Sequence, residues 1–140
     1  MNMRFVVSVA VLFVVSMALG FVVHGVLLHQ DYTALQHLFR TPADAQAHFP
    51  FMLAAHLVMA TGFTWIYRQG RDNRPWLGQG VRFGLAVVLL VTVPTYLIYY
   101  AVQPMPSDVV AKQVVFDAIA MVILGLVAAA VNRDPLPARA

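Results

Sequence analysis

The sequence lacks cysteine and glutamate altogether, and charged residues of all kinds make up only 11% of its 140 positions. The absence of cysteine excludes disulfides, thiolate metal sites and thiol catalysis. A soluble domain carries about 25% charged residues, whereas this chain is 61% hydrophobic and has a mean hydropathy of +0.75. Because a chain of this length is mostly surface, a larger core cannot absorb the excess of apolar residues. The composition therefore predicts an integral membrane protein in contact with the lipid bilayer.

The net charge of +3 and the pI near 9.7 do not indicate nucleic-acid binding. Only nine residues are basic, and they lie at the ends of apolar segments instead of forming a basic surface interleaved with aromatic residues. The preference of Lys and Arg for the cytoplasmic side of a membrane explains this distribution. We therefore expect no nucleic-acid partner.

Four long apolar runs cover most of the chain, over residues 5–28, 49–67, 81–102 and 109–131. A membrane-spanning helix needs about 20 such residues. Arg4 and Ala18-Leu19-Gly20 resemble parts of a secretory signal peptide, but the first apolar run continues beyond them to Leu28. We therefore interpret this run as a retained helix. The expected fold is all-α, with residues 1–140 forming a single domain, a four-helix transmembrane bundle.

The connections between the runs contain helix and turn signals. Residues 29–48 form the largest polar stretch, and Thr41-Pro42-Ala43-Asp44 within it has the hydroxyl cap, the proline and the acidic residue of a helix start. This pattern predicts a short interfacial helix between the first and second spans. Gly78-Gln79-Gly80 is interpreted as a turn before the third span, and Pro94 should kink that span.

The basic residues divide unequally between the two sides of a four-span arrangement. One side holds only Arg40 and Lys112, and the other holds Arg4, Arg68, Arg71, Arg74, Arg82, Arg133 and Arg139. Because basic residues concentrate on the cytoplasmic side, both termini are expected in the cytoplasm, an N-in/C-in orientation. Lys112 also follows Asp108 by one helical turn, which predicts a surface ion pair between them.

Each apolar run contains an ionisable side chain that is costly to place in hydrocarbon, and these are His24, His56, Tyr96 and Asp117. Their distances from the outer ends of the four spans differ by about one turn at a rise of 1.5 Å per residue. His24 also repeats with Ser16 and Gly20 at every fourth position, and small residues mark the close-packed face of a membrane helix. We therefore expect the four side chains to form a polar layer in the outer half of the bundle.

Three interpretations of this layer remain open. In the first, the side chains hydrogen-bond to one another and hold the helices in register. In the second, His24 and His56 ligate a b-type haem or a divalent transition metal, with Asp117 as a further ligand or as the acceptor that orients a histidine. In the third, the layer lines a pocket for a small molecule or a proton-coupled transport substrate, with aromatic walls supplied by Tyr96, Tyr99, Tyr100, Trp65 and Phe116. Tyr99 and Tyr100 also fit an interfacial aromatic belt.

Catalysis is not expected from this set of residues. Asp117 is the only acid inside a span, and no nucleophile–base pair or pair of carboxylates can be assembled from the sequence. The preferred function is that of a small non-enzymatic membrane protein. It either binds a small ligand or serves as an accessory part of a larger membrane complex or homo-oligomer.

A resemblance to other proteins lies in two glycine-containing stretches, Gly20-Phe21-Val22-Val23-His24-Gly25 and Gly78-Gln79-Gly80-Val81-Arg82-Phe83-Gly84. In them the chain resembles uncharacterised small four-helix proteins of the bacterial inner membrane. The resemblance implies a multi-pass protein of the bacterial cytoplasmic membrane. It implies no activity, cofactor or substrate.

Overall fold

The computed structural model describes residues 3–72 and 75–133, which are almost entirely helical and contain no strand. Within these residues the helices are α1 (Met3–Leu27), α2 (His29–Ala34), α3 (Pro42–Ala47), α4 (Phe49–Gly70), α5 (Trp76–Val102) and α6 (Ser107–Asn132). A single turn of 3-10 helix, Gln36–Leu38, lies between α2 and α3. The prediction of an all-α fold is confirmed.

The helices α1, α4, α5 and α6 are each long and apolar enough to cross a membrane. Their outward surfaces carry large apolar side chains: Val58 is 72% exposed, Leu89 73% and Leu90 77%. Soluble monomers rarely expose such extended apolar surface, whereas a bundle surrounded by lipid gains from it. These features support the predicted four-helix bundle and its contact with a bilayer.

The segment between α1 and α4 contains the predicted short helix and a second one. α3 begins at Pro42, and the Thr41 hydroxyl oxygen accepts a hydrogen bond from the Asp44 N–H at 3.3 Å, as the helix-start pattern predicted. α2 precedes it, directly after α1. The position of both helices at the membrane surface stays a prediction.

Two of the long helices contain a wide, π-helical turn. In α5 it covers Val88–Thr92, and the Val93 N–H donates to the Val88 carbonyl five residues earlier. Pro94 follows directly, and because proline has no N–H the normal pattern of bonds four residues apart is interrupted there. In α1 the wide turn covers Phe21–Leu27 and therefore contains His24. Such turns in helices often occur near functional sites.

The closest approach between helices is that of α5 and α6. A Cβ atom added at Gly84 would lie 2.6 Å from the Val122 Cα, and one added at Gly80 would lie 2.8 Å from the Gly125 carbonyl oxygen. Because only glycine allows two backbones so close together, these positions set the distance between the helices. The interpretation of Gly78-Gln79-Gly80 as a turn was wrong: α5 begins at Trp76, and this stretch packs as helix.

α1 and α4 pack antiparallel along a second face of small residues. Ser16 contacts His56, so the antiparallel register places Leu12 level with Ala60, each of which is 1% exposed. One further turn along, the same register places Ser8 level with Thr64. Both of these hydroxyl groups are buried and have no hydrogen-bond partner among the described residues.

The two ends of the bundle contain different contacts. We call the end that carries α2 and α3 the loop end, and the end where α1 begins and α6 ends the terminal end. At the terminal end, Arg68 donates to the Asn132 side-chain oxygen at 3.3 Å, and Arg71 donates to the Asn132 carbonyl. Nearby, the ring of Phe83 in α5 packs edge-on against Phe63 in α4, with centroids 4.6 Å apart. Nearer the loop end, a cavity lies between the helices.

Candidate functional site

A cavity of about 270 Å³ lies between the four long helices, in the half of the bundle nearer the loop end. All four ionisable residues singled out in the sequence line it, one from each helix: His24, His56, Tyr96 and Asp117. The remaining lining is largely apolar, with Leu19, Met59, Val91 and Leu124 among it. We call this space the polar cavity. The structure brings the four residues together, and whether they bind a ligand stays a prediction.

His56 is oriented by a serine of the neighbouring helix. The Ser16 hydroxyl lies 2.9 Å from the His56 Nδ1 and also donates to the Phe13 carbonyl at 2.9 Å. Because the hydroxyl has one hydrogen, both contacts are hydrogen bonds when that hydrogen goes to Phe13 and the imidazole donates its Nδ1–H to the Ser16 oxygen. We therefore assign the neutral tautomer with its lone pair on Nε2. That atom lies beside Gly20, 3.6 Å from the position of an added Cβ.

The Ser16–His56 contact also corrects an expectation from the sequence. A nucleophile and a base do lie within hydrogen-bonding distance, although none could be paired from the sequence. The assigned hydrogen bonds differ from those of an activated serine, however. In the tautomer assigned to His56 the Ser16 hydroxyl donates to a backbone carbonyl, and the residue is only 3% exposed. An activated serine would instead donate to its base and face the substrate.

Asp117 is the centre of a second group of polar contacts. The Tyr96 hydroxyl donates to the Asp117 Oδ2. The His24 Nε2 lies 3.5 Å from the same oxygen, with the His24 side chain 39% exposed and that of Asp117 15% exposed. These contacts join α1, α5 and α6 at one level. The predicted polar layer therefore contains real interhelical contacts, as the interpretation in terms of helix register requires.

The contacts continue from His24 to α2. The His24 Nδ1 lies 2.8 Å from the Tyr32 hydroxyl, which accepts a hydrogen bond from the Gln113 amide at 3.0 Å. The phenol hydrogen is thus available to His24 Nδ1, and we assign the hydrogen of the neutral imidazole to Nε2, which faces Asp117. The Tyr32 pKa is raised chiefly by burial, with smaller raising effects from Asp117 and Asp31 and an opposing effect of the Gln113 hydrogen bond. The phenol therefore remains neutral and able to donate.

The contacts of α2 with α6 were not predicted from the sequence. Besides the bond from Gln113 to Tyr32, the Lys112 ammonium donates to the Asp31 carboxylate at 2.7 Å. The sequence had instead predicted an ion pair between Lys112 and Asp108, its neighbour one turn away. Asp31 and Lys112 lie in separate elements far apart in the chain, so spacing within a helix gives no signal of this pair. Together the two contacts hold α2 beside the polar cavity.

The aromatic walls are only partly those expected. Tyr96 and Tyr99 line the polar cavity, whereas Tyr100 joins Tyr96 and Tyr99 in a neighbouring cavity of about 280 Å³. Trp65 is 58% exposed and lies outside the lining of both cavities, as does Phe116. Sequence position alone cannot distinguish a tyrosine that faces a cavity from one that faces lipid.

The described residues contain no group of three or more His, Asp, Glu or Cys side chains placed to hold a metal ion. Both nitrogens of His24 already face other side chains, Tyr32 on one side and Asp117 on the other. Of the two histidines, His56 offers a free lone pair, on Nε2. Ligation of haem or a metal by His24 and His56 stays a prediction, and it would require His24 to give up one of these contacts.

Comparison with curated proteins finds no match, and comparison with solved structures finds none either. A family model does match, over residues 7–129, and this range includes every residue of the polar cavity. The description of that family names no activity, in keeping with the resemblance to uncharacterised proteins, while the bacterial origin stays a prediction. Because the match covers most of its length, the chain belongs to the family described as "Protein of unknown function (DUF1761)".

Proposed function

We propose that this protein is a non-enzymatic, multi-pass protein of the bacterial inner membrane that binds a small molecule in the polar cavity. The observation that carries the proposal is the convergence of four ionisable side chains, one from each long helix, on a single cavity. A purely structural network would satisfy its polar groups internally. Here the His56 Nε2 has no partner among the described residues and borders the cavity, as a group kept for a ligand would.

The size and lining of the cavity support this proposal. Small-molecule sites are concave and mostly apolar, with a few polar groups that fix the orientation of the ligand. The polar cavity has this character, and its volume of about 270 Å³ is close to the lower limit of typical ligand sites, about 300 Å³. This volume suits a small molecule.

The proposed orientation places both termini in the cytoplasm. Arg68 and Arg71, at the terminal end, are among the basic residues assigned to the cytoplasmic side by the positive-inside rule. The polar cavity then lies in the outer half of the membrane, and α2 and α3 lie on the outer surface. Access to the cavity is from that side.

A cavity-filling substitution tests the proposal. A Cβ atom at Gly20 makes only ordinary contacts with the His56 ring, at 3.5 and 3.6 Å, and meets no backbone atom of another helix within 4 Å, so the side chain of Gly20→Leu extends towards the cavity without a backbone obstruction at its Cβ. Gly62→Leu is the matched control, because an added Cβ at Gly62 meets no atom within 4 Å. Both variants gain a helix-favouring residue.

The measurement is thermal unfolding in mild detergent against a library of small neutral, cationic and anionic molecules. A ligand present at about 100 times its Kd stabilises the folded state by about 2.7 kcal/mol. We expect at least one class of molecule to stabilise the wild type and Gly62→Leu but not Gly20→Leu. If every stabilising molecule acts equally on all three proteins, the polar cavity is not a binding site and the proposal is wrong.

A further inference from the structure

Two of the ionisable groups of the polar cavity present vacant hydrogen-bond acceptors, beside the hydroxyl groups of Thr92, Thr95 and Tyr99, which can donate or accept. The His56 Nε2 carries a lone pair, because its Nδ1–H is given to Ser16. The hydroxyl hydrogen of Tyr96 is given to the Asp117 Oδ2, and the assigned Nε2–H of His24 faces the same oxygen. The second oxygen of Asp117 has no hydrogen-bond partner among the described residues. A ligand that donates hydrogen bonds would satisfy both vacant acceptors.

Asp117 is the one acidic side chain in the lining of the cavity. No Lys or Arg lines the cavity, and the titratable groups that do are His24, His56, Tyr96, Tyr99 and Asp117. An ionised Asp117 brings negative charge into the cavity, and the two histidines are the only side chains of the lining able to balance it. Lys112, on the same helix as Asp117, is already bound to Asp31 and is not part of the lining. An anionic ligand is therefore repelled, and a cationic one is attracted.

The walls favour an organic cation over a simple ion. Tyr96 and Tyr99 contribute aromatic rings, and an ammonium group over the face of such a ring gains a further attraction. Leu19 and Leu124 supply apolar surface for a hydrocarbon body. A hard inorganic cation is usually held by several carboxylate or carbonyl oxygens, whereas the side chains of this lining supply one carboxylate and otherwise hydroxyl groups.

We propose that the polar cavity binds a small amphipathic amine in its protonated form, with the ammonium donating to Asp117 and to the His56 Nε2. The aromatic rings of Tyr96 and Tyr99 flank the charge, and the hydrocarbon body of the amine occupies the apolar part of the cavity. This inference rests on the proposed function, because it names the chemical class of the molecule that the same site binds.

The test uses three probes of similar shape and different charge: benzylammonium, benzyl alcohol and benzoate. Binding is measured by isothermal titration calorimetry on the purified full-length protein in mild detergent. We expect benzylammonium to bind about tenfold or more tightly than the alcohol, and benzoate not to bind detectably. If benzyl alcohol or benzoate binds as tightly as benzylammonium, the cavity does not select a cation and the inference is overturned.

Asp117→Asn isolates the contribution of the carboxylate, since asparagine keeps an oxygen that can accept from Tyr96. The matched control is Asp108→Asn, the same change in the same helix at an exposed position outside the cavity. We expect Asp117→Asn to weaken benzylammonium binding by about tenfold or more while leaving benzyl alcohol unaffected. Asp108→Asn should change neither. Equal affinity for benzylammonium in Asp117→Asn and wild type overturns the inference.

Further comparisons distinguish a failure of the inference about charge from a failure of the proposed function. If Asp117→Asn does not fold, as judged by its thermal unfolding without ligand, the three probes on the wild type still decide the question of charge. If a neutral or anionic molecule binds in a manner abolished by Gly20→Leu, the inference about charge fails while the proposed function stands. If no molecule shows binding that depends on Gly20, both fail.

Discussion

The close contact between α5 and α6 predicts that Gly84→Ala destabilises the protein. The added methyl carbon would lie 2.6 Å from the Val122 Cα and 2.8 Å from the Met121 carbonyl oxygen. Two carbon atoms pack best at about 3.5–4.0 Å, so the helices must move apart by roughly 1 Å at this point. Because both obstructing atoms belong to the backbone, no change of side-chain rotamer relieves the overlap. The whole interface between α5 and α6 has to adjust.

The magnitude follows from two opposing effects. Overpacking of a well-packed contact costs about 1–3 kcal/mol, and backbone obstruction favours the upper part of that range. Replacing glycine by alanine in a helix gains at most about 1 kcal/mol. In detergent this gain is smaller, because the unfolded state of a membrane protein keeps much of its helix. We therefore expect Gly84→Ala to lower the free energy of unfolding by about 2 kcal/mol.

Gly78→Ala is the matched control for this change. It lies in the same helix, and an added Cβ there meets no atom within 4 Å, so its stability should equal or slightly exceed that of the wild type. Unfolding by sodium dodecyl sulfate measures both variants, followed by tryptophan fluorescence, to which the exposed Trp65 and Trp76, which packs against the core, both contribute. If Gly84→Ala proves as stable as Gly78→Ala, the backbones of α5 and α6 are not in contact and the described packing is refuted.

Two further predictions concern the buried hydroxyls and the orientation. Thr64→Val should raise the free energy of unfolding by about 1 kcal/mol in the same assay. The substitution removes a buried, unpartnered hydroxyl without changing the shape of the side chain. A destabilised variant would show that Thr64 is hydrogen-bonded. Because the chain has no cysteine, a single Ala45→Cys should react with a membrane-impermeant maleimide in intact cells, and a single Gln69→Cys only after lysis. The reverse pattern would contradict the N-in/C-in orientation.

The sequence was a good guide to the number and nature of the long helices, because apolar length alone determines them. It was a poorer guide to the start of α5. Gly78-Gln79-Gly80 has the composition of a turn, and the propensity of glycine against helix favoured that interpretation. The close approach at Gly80 and Gly84 outweighs this propensity, since a glycine face allows the two backbones to pack in contact. Local preference cannot reveal such a contact without knowledge of the partner helix.

The candidate site likewise has features that the sequence predicts and features that it does not. His24, His56, Tyr96 and Asp117 could be placed at one level, because the rise per residue in a helix is fixed. The partners that orient them could not be predicted: Tyr32 lies in a short helix whose direction the sequence does not determine. Contacts within one span follow from spacing, whereas contacts between separate elements depend on how the connecting segments fold back.

The wide turn in α1 explains why the repeat of Ser16, Gly20 and His24 does lead to one cavity. In a regular α-helix of 3.6 residues per turn, four residues overshoot a full turn by about 40°, so the third member would drift by about 80° from the first. A turn closed by bonds five residues apart contains more residues per turn and reduces this drift. The Phe21–Leu27 segment has this geometry, and His24 lies within it. The wide turn therefore keeps His24 directed towards Asp117, and it is as much a part of the polar cavity as the side chains that line it.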